Sequence, residues 1–153
     1  MLPPVIQSHL LSEHGIRISG AKPVSGGDIN QVALLTAHDG RQYFIKYNRG
    51  DSAAGMPRTE ALGLQALGEP GVIAVPEVIA QGSAPGGWAW LLLEYIAPGH
   101  QNRAFWECFG QSLAALHEQS AAQYGLDHDN YIGSLPQSNT RYDTWVEFYA
   151  ETR

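Results

Sequence analysis

Residues 25–47 read SGGDINQVALLTAHDGRQYFIKY, and their pattern decides the fold. In Asn30–Ala37, Val32 and Leu34 fall on one side and Ala33 and Leu35 on the other, the two-residue period of a strand. Asp39-Gly40 is a hairpin signal. Arg41–Tyr47 is then the partner strand, with Phe44 and Lys46 on one face and Tyr43, Ile45 and Tyr47 on the other. Upstream, Ile16–Val24 alternates before breaking at Ser25-Gly26-Gly27. The first third therefore reads as a three-stranded antiparallel meander with a glycine pair in its first turn.

Working outward, Val5, Ile6, His9 and Leu10 sit at helical spacing within Val5–His14, and Gly15 can cap that helix. Asn48–Pro57 is polar and glycine-containing, so it reads as a loop. Arg58–Gly68 reads as a helix closed by Gly68, with Glu60 in its first turn. Val75–Gln81 and the apolar Trp88–Ile96 are strand candidates. Phe105, Phe109, Leu113 and Leu116 repeat as the apolar stripe of a helix ending near His117. Ser120–Asn139 is loop-like, and Tyr142–Thr152 starts a further helix. Strands first and helices later favour an α+β fold over a doubly wound parallel sheet.

The chain has 153 residues, enough for one core. Hydrophobic residues make up 44% and charged residues only 16%. Nine basic side chains stand against fifteen acidic ones, a net charge of −6. That balance excludes a nucleic-acid binder, which needs a basic face for phosphates, and a basic membrane-surface helix. The apolar stretch Trp88–Ile96 is too short to span a bilayer as a helix, and Glu94 interrupts it. The N-terminus lacks a signal-peptide pattern, and the single Cys108 excludes an intrachain disulfide. A cytoplasmic, reducing location is the expectation.

Four features could carry chemistry. Ser25-Gly26-Gly27-Asp28-Ile29-Asn30 lies between two strands, where glycines let backbone N–H groups approach an anion; a plain hairpin turn is the alternative. It fits neither a Walker loop nor a G-x-G-x-x-G Rossmann turn. Lys46 is one of only two lysines and sits among aromatic and apolar residues. It reads as a cleft lysine or as an edge-strand charge that blocks aggregation. Glu60 either pairs with a cation or complements the helix dipole. Leu93-Glu94-Tyr95-Ile96 ends an apolar strand whose backbone could bond a planar heterocycle, or the strand simply stops before Pro98-Gly99.

Taken in order, a glycine turn between strands, a Phe44-Ile45-Lys46 strand, a helix with an early Glu60 and a strand ending Leu93-Glu94-Tyr95-Ile96 resemble the N-terminal lobe of protein-kinase-like phosphotransferases. A glycine pair in place of three spaced glycines fits the small-molecule kinase branch. Phe109–His117 resembles the helix before the catalytic loop in aminoglycoside-phosphotransferase-like kinases. Glu60-Ala61-x-Gly63-Leu64, Tyr124-Gly125-Leu126-Asp127, Asp129–Gly133, Pro136-Gln137-x-Asn139 and Trp145-x-x-Phe148 are similar to the fructosamine (ketosamine-3-) kinase family. The resemblance runs from about Gly26 to Arg153.

It implies ATP-dependent phosphorylation of a sugar hydroxyl on a ketoamine, free or protein-bound, in protein deglycation, with magnesium as the accompanying cation. It implies a five-stranded antiparallel sheet with helices as a nucleotide-binding small lobe over residues 1–97. Residues 98–153 would begin a helical lobe that is incomplete here, and the missing part of that lobe would be a partner. Gly26, Gly27, Asp28, Ile29 and Asn30 would cover the phosphates. Lys46 would contact the α- and β-phosphates and be held by Glu60, while adenine would lie against Glu94, Tyr95 and Ile96. Asn130, Tyr131, Gln137, Asn139 and Trp145 are the implied substrate residues.

The family's catalytic loop follows the pattern H-x-D-x-x-x-x-N, and no histidine of this chain is followed two residues on by aspartate. The expectation is therefore an amino-terminal part without a catalytic aspartate, inactive alone. Its alternatives are a non-catalytic nucleotide- or partner-binding module and another small-molecule kinase of the same fold. Leu116, Trp145 and Phe148 are expected in an exposed apolar patch that could drive a non-native dimer. Asp127, His128 and Asp129 read as a solvated turn rather than a metal site. Cys108 is expected to be packed and inert, and the aromatics of 142–149 to form core.

Overall fold

The computed structural model describes residues 1–25, 29–50 and 55–153. Its chain divides into two compact units, Met1–Ala61 with Pro76–Ile96, and Leu62–Val75 with Ala97–Arg153.

The first unit opens with helix α1 (Pro4–His14). Gly15 ends it in the left-handed region at φ 67°, its N–H donating to the Leu11 carbonyl and the Ile16 N–H to that of Leu10. That paired closure is how glycine satisfies the orphan carbonyls of a helix end. The meander follows as β1 (Ile18–Pro23), β2 (Gln31–Ala37) and β3 (Gln42–Arg49). After α2 (Met56–Gly68), which starts in this unit, come β4 (Val78–Ala84) and β5 (Trp88–Glu94). All five strands form one antiparallel sheet in the order β1-β2-β3-β5-β4.

The β2–β3 turn is the one the sequence marks. Gly40 adopts φ 85°, and the Asp39 carboxylate accepts the Arg41 N–H and guanidinium. The Arg41 hydrogen bonds, side chain first, hold the Asp39 carboxyl below its ordinary range. β3 runs further than the polar sequence implies, because Asn48 and Arg49 pair with Ala89 and Trp88 of β5. Tertiary pairing there overrides the weak strand preference of asparagine.

One face of the sheet is the core. Leu2, Ile6 and Leu10 from the α1 side meet Ala33, Leu35, Tyr43, Ile45, Tyr47, Trp90 and Leu92. Burial pushes the Tyr47 phenol up. Trp90 is fully buried, with His9 and His14 of α1 edge-on to its indole at centroid distances of 5.9 and 5.6 Å. Gly82 on β4 makes room for it, since a Cβ there would fall 2.9 Å from the indole ring.

The second unit holds the rest of α2, then α3 (Arg103–His117), the hairpin β6 (Asn130–Ile132) and β7 (Leu135–Gln137), and α4 (Trp145–Thr152). Asn102 caps α3 by accepting the Phe105 N–H, and Thr144 caps α4 by accepting that of Glu147. The β6–β7 hairpin falls in the stretch that reads as loop. Its strands are three residues long, half-buried at Asn130, Tyr131 and Gln137 and exposed at the rest, and interrupted by Pro136, so no apolar period announces them.

Side-chain burial here departs from the sequence expectations. Phe148 is buried, 6% exposed, rather than part of an exposed patch, and Leu116 is half-buried. Trp145, 53% exposed, is the one of the three patch candidates that is exposed; with Tyr149, exposed as well, it departs from the core expected of the aromatics of 142–149. Cys108 is exposed, because α3 places it on a helix with no buried residue.

Candidate functional site

The two-residue period of β3 creates the site. Tyr43, Ile45 and Tyr47 point into the core, so Phe44, Lys46 and Asn48 stand on the opposite face. Lys46 lies between Val32 of β2 and Leu91 of β5, in the middle of the sheet. The edge-strand reading of this lysine is therefore excluded. Its ammonium donates to both carboxylate oxygens of Glu60, at 2.6 and 2.8 Å. The two side chains are 27% and 33% exposed, so the pair borders solvent instead of lying in the core.

Glu60 sits in the second turn of α2, not the first. The helix begins at Met56, with Pro57 in its opening turn, and that turn holds no acidic residue. The dipole explanation for Glu60 weakens accordingly, since that effect fades beyond the first turn. Its carboxylate is instead engaged by the lysine. Asn30, Lys46, Asn48, Glu60, Ala89 and Leu91 line one hollow on this face. Such a hollow offers a fixed cation and a polar rim over an apolar floor.

At the far end of β5, Glu94 and the segment before β4 hold each other. The Glu94 N–H donates to the Glu77 carbonyl at 2.9 Å, and the Glu77 N–H to the Glu94 carboxylate at 3.2 Å. Tyr95 and Ile96 follow outside the strand, half-buried and exposed respectively. Gly26, Gly27 and Asp28 lie outside the described residues. Ile29 and Asn30 lead into β2, and the Ile29 carbonyl accepts a hydrogen bond from Asn48. Asn48 was invisible as a site residue because its polarity read as loop.

The substrate residues implied for the second unit divide into three kinds. Asn130 and Gln137 face each other across the β6–β7 hairpin, with Tyr131 beside them, half-buried. Trp145 is exposed, its ring 5.8 Å from that of Tyr124. Asn139 is 1% exposed and fully engaged by its own unit. Its N–H donates to Asp129, its side-chain amide to the His128 carbonyl, and its Oδ1 accepts from the Arg153 guanidinium at 2.8 Å. Gly125, at φ 125°, passes so close that a Cβ would lie 2.6 Å from the Asn139 carbonyl. Asn139 is thus a clasp for residues 125–153 and presents no free polar atom to a ligand. Asn139→Ala should lower the stability of this unit by about 2–3 kcal/mol, because it removes a buried carboxamide that bonds the His128 carbonyl and the charged Arg153 guanidinium; a urea midpoint shift reads it. Asp127 pairs with Arg141 at 2.6 Å. Among the described residues no three His, Cys, Asp or Glu side chains converge on a common point.

A family model described as fructosamine kinase matches residues 4–153. A probable ketoamine kinase of Synechocystis sp. is 43% identical over 139 residues, covering 90% of this chain and 46% of that protein. A chloroplastic protein-ribulosamine 3-kinase of Oryza sativa subsp. japonica is 34% identical over 152 residues, 98% of this chain and 44% of that protein. Among solved structures, a fructosamine-3-kinase candidate of Haemophilus somnus superposes with a TM-score of 0.84 at 29% identity. It spans 97% of this chain and 50% of that one. A second candidate, from Thermobifida fusca, gives 0.76 at 31% identity with the same coverage. The chain spans a little under half the length of the curated relatives it matches.

Proposed function

Because this chain belongs to the fructosamine kinase family, a family of ketoamine kinases, we propose that it supplies the ATP-binding half of an enzyme that phosphorylates a sugar hydroxyl of a ketoamine. The observation that carries the reading is the Lys46–Glu60 pair on the open face of a central strand. Phosphoryl transfer draws its rate mainly from positioning and electrostatic stabilisation of phosphate oxygens. A lysine held at two points by one carboxylate keeps its ammonium in a fixed place.

In this reading Lys46 binds the α- and β-phosphates and Glu60 orients it. Gly26, Gly27, Asp28, Ile29 and Asn30 cover the phosphates. The backbone of Glu94 and Ile96 bonds the adenine edge, with Tyr95 between them. The Glu77–Glu94 exchange supports that role, since it fixes the strand end whose next residues would meet the base. Residues 1–97 act as the nucleotide-binding lobe, and residues 98–153 contribute to the sugar-binding side through Asn130, Tyr131, Gln137 and Trp145. Magnesium would travel with ATP. Its protein ligands would come from the rest of the enzyme, as the family resemblance implies.

The chain also lacks the H-x-D-x-x-x-x-N pattern that orients an attacking hydroxyl. Calorimetric titration should therefore show ATP binding by this chain, while a coupled assay with a fructosamine shows no turnover. Absence of nucleotide binding would overturn the reading. Turnover that disappears in Lys46→Ala would overturn the expected inactivity.

A further inference from the structure

We propose that Asn48 is a positioning residue for the phosphates of the nucleotide, an inference that rests on the reading above. Asn48 shares the open face of β3 with Lys46 and lines the same hollow. Continuing the register of Gln31 with Tyr47 sets Asn30 opposite Asn48 at the end of the β2–β3 ladder. The Asn48 side-chain amide donates to the Ile29 carbonyl at 2.8 Å. Its Oδ1 accepts the Arg49 N–H at 2.7 Å. Both polar ends of the carboxamide are spent on backbone.

Two physical consequences follow. The Ile29 carbonyl is a hydrogen-bond acceptor one residue before Asn30, which lines the hollow whose cation is Lys46. Left free, it would repel phosphate oxygens; bonded to Asn48, it turns its charge onto an N–H. The same bond ties the entry of β2, and with it Asn30, to the strand that carries Lys46. Both effects come from the amide donor of Asn48, while its Oδ1, bonded to the Arg49 N–H, holds the carboxamide in that orientation. Aspartate keeps the shape but loses the donor and adds a negative charge beside the phosphates.

The role concerns the phosphate end and not the base end, and that separation makes it testable. ATP and adenosine are titrated against the unsubstituted chain, Asn48→Ala and Asn48→Asp, each checked for an unchanged far-UV spectrum. Asn48→Ala is expected to weaken ATP about tenfold and leave adenosine within about twofold. Asn48→Asp should weaken ATP further than Asn48→Ala does. Unchanged ATP affinity in Asn48→Ala, or equal losses for ATP and adenosine, would overturn the proposal. Failure of the unsubstituted chain to bind ATP would instead overturn the nucleotide-binding reading itself and remove the basis for this one.

Discussion

Lys46→Met should lower the affinity of the chain for ATP about a hundredfold, the upper range of what a charge-assisted hydrogen bond supplies. Methionine preserves most of the apolar stem between Val32 and Leu91, so the sheet should hold its packing. The carboxylate of Glu60 is left without its cation, but it is a third exposed and water can solvate it. The loss should therefore appear in ligand binding rather than in stability. Adenosine, which has no phosphate, should bind Lys46→Met as it binds the unsubstituted chain. Glu60→Gln should produce a milder loss of about tenfold, because the ammonium remains and only its second anchor weakens. Calorimetric titration of ATP and adenosine measures all three. An ATP affinity unchanged in Lys46→Met would remove the lysine from the site.

Trp90→Ala should cost the first unit about 3–5 kcal/mol, a large share of the stability of a small domain. The indole is completely buried on a central strand, between the α1 histidines and the glycine gap of β4. Its removal leaves a cavity among residues already fixed by strand pairing, so relaxation can fill only part of it. Trp90→Phe should cost much less. Among the described residues the indole N–H has no hydrogen-bond partner, so phenylalanine sheds a buried donor that the tryptophan leaves unsatisfied. Urea denaturation of the two variants gives the comparison. An alanine variant as stable as the phenylalanine one would show that shape at this position does not matter.

How much of this was legible depends on whether neighbours or distant strands decide each residue. The meander was readable because Ala33, Leu35, Ile45 and Tyr47 keep a strict period on both sides of Asp39-Gly40. Lys46 was readable as a residue facing away from the core for the same reason. The extension of β3 to Arg49 was not, since β5 makes it, some forty residues later. Glu60 was one turn out of place because Met56 and Pro57, in a stretch that reads as loop, already belong to α2. In the second unit the sequence shows which aromatics are present but not which one is buried. Trp145, Phe148 and Tyr149 share a single helix, and only Phe148 lies inside. Asn139 entered the substrate set through its place in the Pro136-Gln137-x-Asn139 motif, whereas its partners His128 and Arg153 become visible only in three dimensions.

The alternation of β3 also sets what kinds of genetic change this lobe can survive. Side chains keep their faces only while the strand keeps its count. Deleting one residue between Gln42 and Lys46 would shift every later position by one. Tyr47 would move to the open face and the Lys46 ammonium into the apolar core, so folding and binding would fail together. The same deletion in the turn at Asp39-Gly40 would meet solvent and leave both faces as they are. Length variation among functional descendants of this chain should accordingly collect in that turn and spare the strand.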